Sequence, residues 1–408
     1  MHRSMPPAIR PQDSTPTLFV DVSMIAQHDA RTGIQRIVRG VVQGLLAYHC
    51  IPLKIQLVQA ARQHGYRLAH WDSAQGHPVP DILAAPLAPK TGDVFLALDL
   101  TAHLLPRHFS QLFEFRAAGL QVVPVVYDLL PDTHPGWFND KTVRNFRRWL
   151  TACAKLADGY ITISATVRNE LRGWLAQRSL DPETIPIAAI PLAGAIVHTY
   201  PTRGVLPGTE VLLKEFRRTP TVQMVGTIEP RKGYEAALDA FDTLWGSGFE
   251  ANLVIVGKRG WKTEDLQHRL ETHPQRNRHL FWFEDANDEW LTALYQSCHL
   301  VLMASRGEGL GLPLIEAMDY GKPVLARDLP VFREMGGNAI HYFSDDRPNA
   351  LAGRIADCLT APHSSARLAR SPSWREGVAQ LVDFVLAARQ PALANEKGRG
   401  SPPRLGAG

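Results

Sequence analysis

The chain has 408 residues, enough for two or three domains, with 45% apolar and 21% charged residues. That balance is ordinary for a soluble globular protein and excludes a disordered, collagen-like or coiled-coil chain. The net charge of +4 is too small to point to nucleic acid, and it belongs entirely to the first half: residues 1–200 hold 19 basic and 15 acidic residues, residues 201–408 hold 25 of each.

Four cysteines (Cys50, Cys153, Cys298, Cys358) are far apart and form no CxxC pair, which fits reduced, buried thiols in the cytoplasm. The opening MHRSMPPAIRPQDS has no apolar run behind its charges, so no secretory signal is read. The longest apolar run, Ile185 to Val197, is interrupted by Pro186 and Pro191 and is too short to span a bilayer. A soluble, cytoplasmic protein is expected, with contact at the inner face of the plasma membrane as a further option.

Residues 1–16 are rich in proline and polar groups and are expected to fray. Buried strands are predicted at Thr17 to Val22, Asp93 to Leu98, Gln121 to Tyr127 and Gly159 to Ile163; residues 53–59 alternate as a half-buried strand does. Helices are predicted at Gly33 to Tyr48, between the strands at 93–98 and 121–127, and at Thr166 to Gln177. Residues 185–192 are extended. The second half repeats the alternation. Strands at 221–225, 252–256, 279–283, 300–303 and 323–326 are separated by helices at 233–245, 263–272, 288–296 and 313–320. Alternation of this kind means an α/β fold with parallel sheets. Two doubly wound domains are therefore expected, at 17–200 and 220–373, joined by a linker at 201–219. An amphipathic C-terminal helix (374–389) and a disordered tail (390–408) follow. Ligands of such sheets bind beyond the carboxyl ends of the strands, so the cleft between the domains is the expected site.

The strongest chemical signal is SRGEGLGLPLIEAM, Ser305 to Met318. A strand ends, a loop with Gly307, Gly309 and Gly311 follows, and Pro313 marks a helix start. Exposed amides and a helix N-terminus attract an anion. Glycines alone are equally compatible with a plain tight turn. Glu308 and Glu316, eight residues apart, are expected to face one cleft, where carboxylates suit vicinal hydroxyls. The second signal is GTIEPRKG, Gly226 to Gly233, where Arg231 and Lys232 stand beside each other after a strand. Two fixed cations neutralise a diphosphate as a bound metal does elsewhere. An isolated pair would read as a solvated basic turn.

Together these segments resemble the retaining glycosyltransferases of family 4, which have the GT-B fold of two Rossmann-like domains facing across a cleft. NLVIVGKRGW and the stretch from Phe283 to Phe343 follow the same order and spacing. The resemblance implies a nucleotide-diphosphate sugar as donor, with Glu308 on the sugar, Glu316 on the ribose, and Arg231 and Lys232 on the diphosphate. Gly226, Gly309 and Leu310 would line the donor site, and Phe283 to Asn287 would lie by the base. No cofactor is implied. No DxD motif is present and the histidines lack metal-ligand spacing, so no metal is expected.

The first half resembles the family less closely. DARTGIQRIVRG, residues 29–40, replaces the usual glycine-rich loop and has one turn glycine, Gly33, whose backbone amide is a candidate donor-binding contact to the reacting sugar or phosphate. It looks like a variant in bacterial enzymes that assemble O-antigen, capsule or exopolysaccharide. Arg36, one turn into the helix, is read as a phosphate or acceptor contact or as an ordinary surface arginine. VVYDLLPDTHP carries Tyr127–Asp128 where the family often has histidine–aspartate. Asp128 is a candidate to orient or deprotonate the acceptor hydroxyl. His134 is a candidate replacement for the missing histidine.

The expected activity is transfer of a hexose, with mannose favoured and GDP-mannose as donor, to a saccharide or lipid-linked saccharide. A catalytically idle nucleotide-sugar-binding partner of a polysaccharide complex is the alternative. Lys141, Arg144, Arg148 and Lys155 fall on one face of a predicted helix, opposite Phe146, Trp149, Leu150, Cys153 and Leu156. That pattern fits a helix packed on its own domain with a solvated basic face, or one lying on an anionic membrane.

Overall fold

The structure, a computed structural model, describes residues 15–48, 51–81, 86–192, 196, 204, 208–361 and 373–388. The N-terminal segment to Ser14, most of the linker expected before residue 208, and the tail expected at 390–408 lie outside the described residues. Cys50 lies outside them too; Cys153, Cys298 and Cys358 are free and buried.

The first domain holds strands β1 (Thr17–Asp21), β2 (Lys54–Gln59), β3 (Arg67–Asp72), β4 (His77–Pro80), β5 (Val94–Ala97), β6 (Gln121–Val126), β7 (Tyr160–Thr162) and β8 (Ile187–Ala189). Its helices are α1 (Ser23–Gln27), α2 (Gly33–Ala47), α3 (Phe109–Ala117), α4 (Leu130–Thr133), α5 (Asp140–Leu156) and α6 (Ala165–Ala176). The second domain opens with α7 (Thr209–Arg218). Strands β9 (Thr221–Val225), β10 (Asn252–Val256), β11 (Leu280–Phe283), β12 (Leu300–Met303), β13 (Val324–Arg327) and β14 (His341–Phe343) alternate with α8 (Tyr234–Gly246), α9 (Glu264–Thr272), α10 (Asp288–Ser297), α11 (Leu312–Asp319) and α12 (Pro330–Gly336). Helices α13 (Pro348–Thr360) and α14 (Trp374–Ala388) close the described chain.

The first sheet has the order β4-β3-β2-β1-β5-β6-β7-β8 and the second β11-β10-β9-β12-β13-β14. All pairings are parallel except the β2–β3–β4 meander at one edge. This is α/β architecture with two doubly wound sheets. The meander has no counterpart in the sequence expectation. Its residues are mostly half-exposed, so apolar alternation is diluted there.

In each sheet the order reverses beside the first strand, between β1 and β5 and between β9 and β12. A crevice forms there because the flanking connections leave on opposite faces. The segments opening into these crevices are 22–33 in the first domain and 226–233 and 304–311 in the second. Both signals read from the second half therefore emerge at one point of one sheet.

The segment expected as a linker requires correction. Residues 209–218 form α7, whose Leu213 and Phe216 are buried. Phe216 meets the Phe281 ring edge-on, with centroids 4.9 Å apart. Buried positions three apart on a short, highly charged helix are a weak periodic signal. The C-terminal α14 returns to the first domain, where Val378, Leu381, Val382 and Val385 join a core with Ile37, Val38, Val41 and Val42 of α2.

Close approach of α14 depends on glycines in α2. A Cβ on Gly40 would lie 2.6 Å from the Trp374 ring, and one on Gly44 2.7 Å from Val378. Gly173 in α6 has open space around it. Gly40→Ala should therefore destabilise the fold by about 1–2 kcal/mol through overpacking. Gly173→Ala should stabilise it by about 0.5–1 kcal/mol through helix propensity. Denaturant unfolding of the two variants is expected to give shifts of opposite sign.

Candidate active site

The GTIEPRKG segment turns sharply after β9. Pro230–Lys232 form a short 3-10 helix, and Gly233 follows at φ +70°, a conformation suited to glycine. A Cβ on Gly233 would lie 2.3 Å from the Ala304 carbonyl oxygen. The two loops thus touch, and Arg306 N–H donates to the Arg231 carbonyl at 2.7 Å. Arg231 and Lys232 are delivered directly onto Glu308.

Arg231 donates through Nη1 to Glu308 Oε2 at 2.8 Å and to the Gly307 carbonyl at 3.0 Å. Its Nη2 lies 2.8 Å from Glu229 Oε1. Lys232 Nζ donates to Glu308 Oε1 at 2.5 Å, and Ser305 Oγ to the same oxygen at 2.7 Å. The Lys232 stem crosses Gly226, where a Cβ would lie 3.2 Å from Cε. Burial on its own would raise the Glu308 pKa. The Arg231 and Lys232 charges and the Lys232 and Ser305 hydrogen bonds overcome it and hold the carboxyl down at about 2.

Asp128 brings the first domain into this cluster. It follows β6, accepts from Leu130 N–H at 3.0 Å, and senses Arg231, Glu308 and Lys232. Burial raises its pKa; Arg231 opposes that, and the Glu308 charge adds to the rise. Glu229 is raised in the same way, by burial first. A carboxyl raised by burial beside an ionised neighbour is suited to exchanging a proton.

Gly309 makes this meeting sterically feasible. A Cβ there would sit 1.9 Å from the Tyr127 carbonyl oxygen and 3.3 Å from the Asp128 Cβ. Ser164, which caps α6 in the first domain, donates through Oγ to the Gly309 carbonyl at 2.7 Å. Gly307 lies against Trp137, whose ring would be 2.9 Å from an added Cβ.

Glu316 has different company. Its Oε1 accepts from Arg36 Nη1 at 2.6 Å and its Oε2 from the Tyr295 hydroxyl at 2.7 Å. Glu308 and Glu316 both lie where the second domain meets the first, but with different partners. Glu308 points back to the β9 loop, whereas Glu316, one turn into α11, points across to α2. Arg36 is not a surface arginine. It is a largely buried cation bridging the domains, with Asp288 3.6 Å from Nη2. The Leu310 side chain is buried in the first domain's core, so a contact with a donor would fall to its backbone.

Gly33 opens α2, where Thr32 and Gln35 form a reciprocal capping box. An added Cβ would contact Leu312, the first residue of α11, at 3.4 Å. The N-termini of α2 and α11 thus face each other, and their positive dipole ends converge. His134 is exposed. It stacks on Trp137 at 4.2 Å and 9°, and reaches the Gly307 loop only through that ring. In the 283–287 loop, Asn287 caps α10 through Trp290 N–H at 2.7 Å. Among the described residues no group of His, Cys, Asp and Glu side chains is placed to hold a metal ion.

Glu229, Ser305, Tyr295 and Ser164 belong to the site and were not singled out from sequence. Glu229 and Ser305 lie inside the two signal segments, so proximity along the chain was a usable signal. Tyr295 and Ser164 carried none.

Residues 213–371 match the family Glycosyl transferases group 1. Over these residues the second half of the chain is similar to that family. Serotype-specific mannosyltransferase WbdA of Escherichia coli is 37% identical over 355 residues, covering 86% of this chain and 42% of that protein. The chain spans less than half the length of this relative. Sucrose-phosphate synthase from Thermosynechococcus elongatus superimposes with a TM-score of 0.60 at 17% identity, covering 92% of this chain and 96% of that one. Anabaena HepE in complex with UDP-glucose gives 0.56 at 14% identity, covering 92% and 97%. The fold is GT-B, two Rossmann-like domains across a cleft, and the segment similar to the group 1 family carries Arg231, Lys232, Glu308 and Glu316.

The Glu308 pKa, about 2 against an ordinary 4.5, makes its ionised form stabilising. That contribution is complete above pH 4.5 and is lost as pH falls toward 2. Glu308→Gln should cost on the order of 3 kcal/mol at neutral pH, because two buried cations lose their partner. The gap to the parent should close as pH falls through that window, as read from urea unfolding at a series of pH values.

Proposed function

We propose that the chain is a retaining glycosyltransferase that moves a hexose, mannose by preference, from a nucleotide-diphosphate sugar to a saccharide or lipid-linked saccharide in surface-polysaccharide assembly. The observation that carries this reading is the buried Glu308 carboxylate held ionised between Arg231 and Lys232 at the switch point of the second sheet. The WbdA relative supports the mannosyl preference. HepE, crystallised with UDP-glucose, supports a nucleotide-sugar cleft in this architecture.

In this reading the diphosphate lies between the opposed N-termini of α2 and α11, beside Arg231 and Lys232. The leaving diphosphate gains negative charge as the glycosidic bond breaks, and fixed cations with aligned amides stabilise that charge without reorganising. Amides at Gly33, Gly309 and Leu310 supply donors, and Gly226 gives the Lys232 stem room. Glu308 contacts the sugar, and Asp128 orients or deprotonates the acceptor hydroxyl from the opposite domain. Glu316 receives the ribose, which requires Arg36 to share or release it; Arg36 is then free to meet phosphate. His134 with Trp137 lies on the acceptor side. The two cations take the role of a divalent metal, so no metal is required.

The test is a thermal-shift screen of purified protein with GDP, UDP, ADP and their sugar conjugates, with and without chelator, followed by turnover assays and anomeric analysis of the product. We expect stabilisation by one nucleotide family, unaffected by chelator, and an axial-to-axial or equatorial-to-equatorial outcome. Lys232→Ala should cut turnover on the order of 100-fold, the scale of losing one oriented charge-stabilising donor. Turnover close to that of the parent would remove Lys232 from the diphosphate site. Donor binding without turnover on any acceptor would favour the idle partner.

A further inference from the structure

We propose that Arg36 is a built-in competitor of the donor nucleotide: its guanidinium holds the seat that a ribose diol takes on Glu316, so binding exchanges a link between the domains for a link to the donor. The proposal rests on the reading that Glu316 receives the ribose.

Glu316 divides its two oxygens between the domains. Oε2 accepts from the Tyr295 hydroxyl at 2.7 Å. Tyr295 is fully buried in the second domain and stacks on Tyr320, with centroids 5.3 Å apart and rings 10° from parallel. The Tyr320 hydroxyl shares a hydrogen bond with Thr292 Oγ1 at 3.0 Å. Oε1 accepts from Arg36 Nη1 at 2.6 Å, and Arg36 belongs to α2 of the first domain. The carboxylate is therefore anchored by its own domain, and its second partner comes from the other. Glu316 is only 3% exposed. An oxygen that Arg36 gives up has little solvent to turn to, and an unmet buried acceptor is costly. A sugar hydroxyl supplies the missing donor without moving Glu316.

Arg36 is held less firmly than the other buried arginine of the cleft. Arg231 reaches Glu308, the Gly307 carbonyl and Glu229 at 2.8 to 3.0 Å. Arg36 makes one side-chain hydrogen bond among the described residues. Its Nη2 is buried without a hydrogen-bond partner and lies 3.6 Å from Asp288 Oδ1, beyond hydrogen-bonding range. A buried N–H left unmet lowers the cost of leaving. Ile37 and Val38 beside it are buried in the first domain's core, so α2 stays in place and the side chain moves. Asp288 opens α10 directly after the 283–287 loop, so Arg36 reaches from the ribose carboxylate to the end of the loop expected by the base.

The exchange also bears on the domains. Among the described residues both ion pairs that cross between them belong to Arg36. The other polar links run to neutral groups, as Ser164 does to the Gly309 carbonyl and Lys258 to the Ala30 carbonyl. A nucleotide that takes Glu316 from Arg36 removes the direct charge link across the cleft.

The test is calorimetric titration of the full chain with GDP, UDP and ADP, each against its 2′,3′-dideoxy form. Both members of a pair carry the same diphosphate, so their affinity ratio cancels any contact that Arg36 makes with phosphate. In the parent the ribose hydroxyls must displace Arg36, and the ratio favours the ribose form only modestly. In Arg36→Met, a side chain of similar length without a donor, the ratio should rise about tenfold, the scale of one charge-assisted hydrogen bond no longer in competition. Arg36→Lys, which keeps the charge but not the fork, should fall between. Arg36→Met should also melt below the parent, and the nucleotide that binds should raise its melting temperature by more than the parent's. A ribose preference in the parent that is unchanged or smaller in the methionine variant, or in the lysine variant if the first does not fold, would overturn the competitor role and leave the ribose reading standing. A ratio near one in parent and variants alike, or no binding of any of the three nucleotides, would overturn both.

Discussion

A buried carboxylate between two buried cations is costly unless every charge is matched at hydrogen-bond distance. Glu308 satisfies that condition with Arg231, Lys232 and Ser305, and much of the site's geometry follows from it. The β9 and β12 loops must touch, so Gly233 must lack a side chain against Ala304. Arg231 must also serve Glu229 and the Gly307 carbonyl. Asp128, arriving from the other domain, is buried against this cluster, and burial is why its proton is held more firmly than usual.

The domains are joined by contacts of the same kind, short and polar. Arg36 reaches Glu316, Ser164 reaches the Gly309 carbonyl, and Lys258 Nζ donates to the Ala30 carbonyl at 3.0 Å. Glu334 accepts from the Ala165 and Thr166 amides at 2.6 and 2.9 Å, completing the N-terminus of α6 from the opposite domain. The Trp261 indole donates to the Trp137 carbonyl at 2.8 Å. Such contacts exchange with water at modest net cost, so this interface can open and close more readily than an apolar one. Apolar contacts cross the interface too, among them Leu310 and Ile315 in the first domain's core and Trp261 against Phe138.

A second consequence concerns charge. The crevice gathers Arg36, Arg231, Lys232 and two helix N-termini, but it matches its side-chain cations internally. The exposed face of α5, which carries Lys141, Arg144, Arg148 and Lys155, does not. One positive region is organised inward and the other faces outward. Net charge, small for the whole chain, hides this division.

The α/β class, the alternation of elements and the residues of the two glycine-bearing loops were legible in the sequence. They depend on local rules: buried parallel strands are continuous apolar runs, and turns before helices need glycine and proline. The edge meander and α7 were not legible, because half-exposed strands and short charged helices carry little periodic signal. Arg231, Lys232 and Glu308 were each visible as candidates. Only the tertiary structure decided that they form one ion-paired cluster, that Glu316 turns instead to Arg36 and Tyr295, and that Leu310 faces a core. Those outcomes depend on pairs of residues as much as 280 positions apart, whose meeting is set by strand order and by how closely two backbones approach. Pattern along a chain records which face is buried. It does not record which charge from a distant strand will be waiting there.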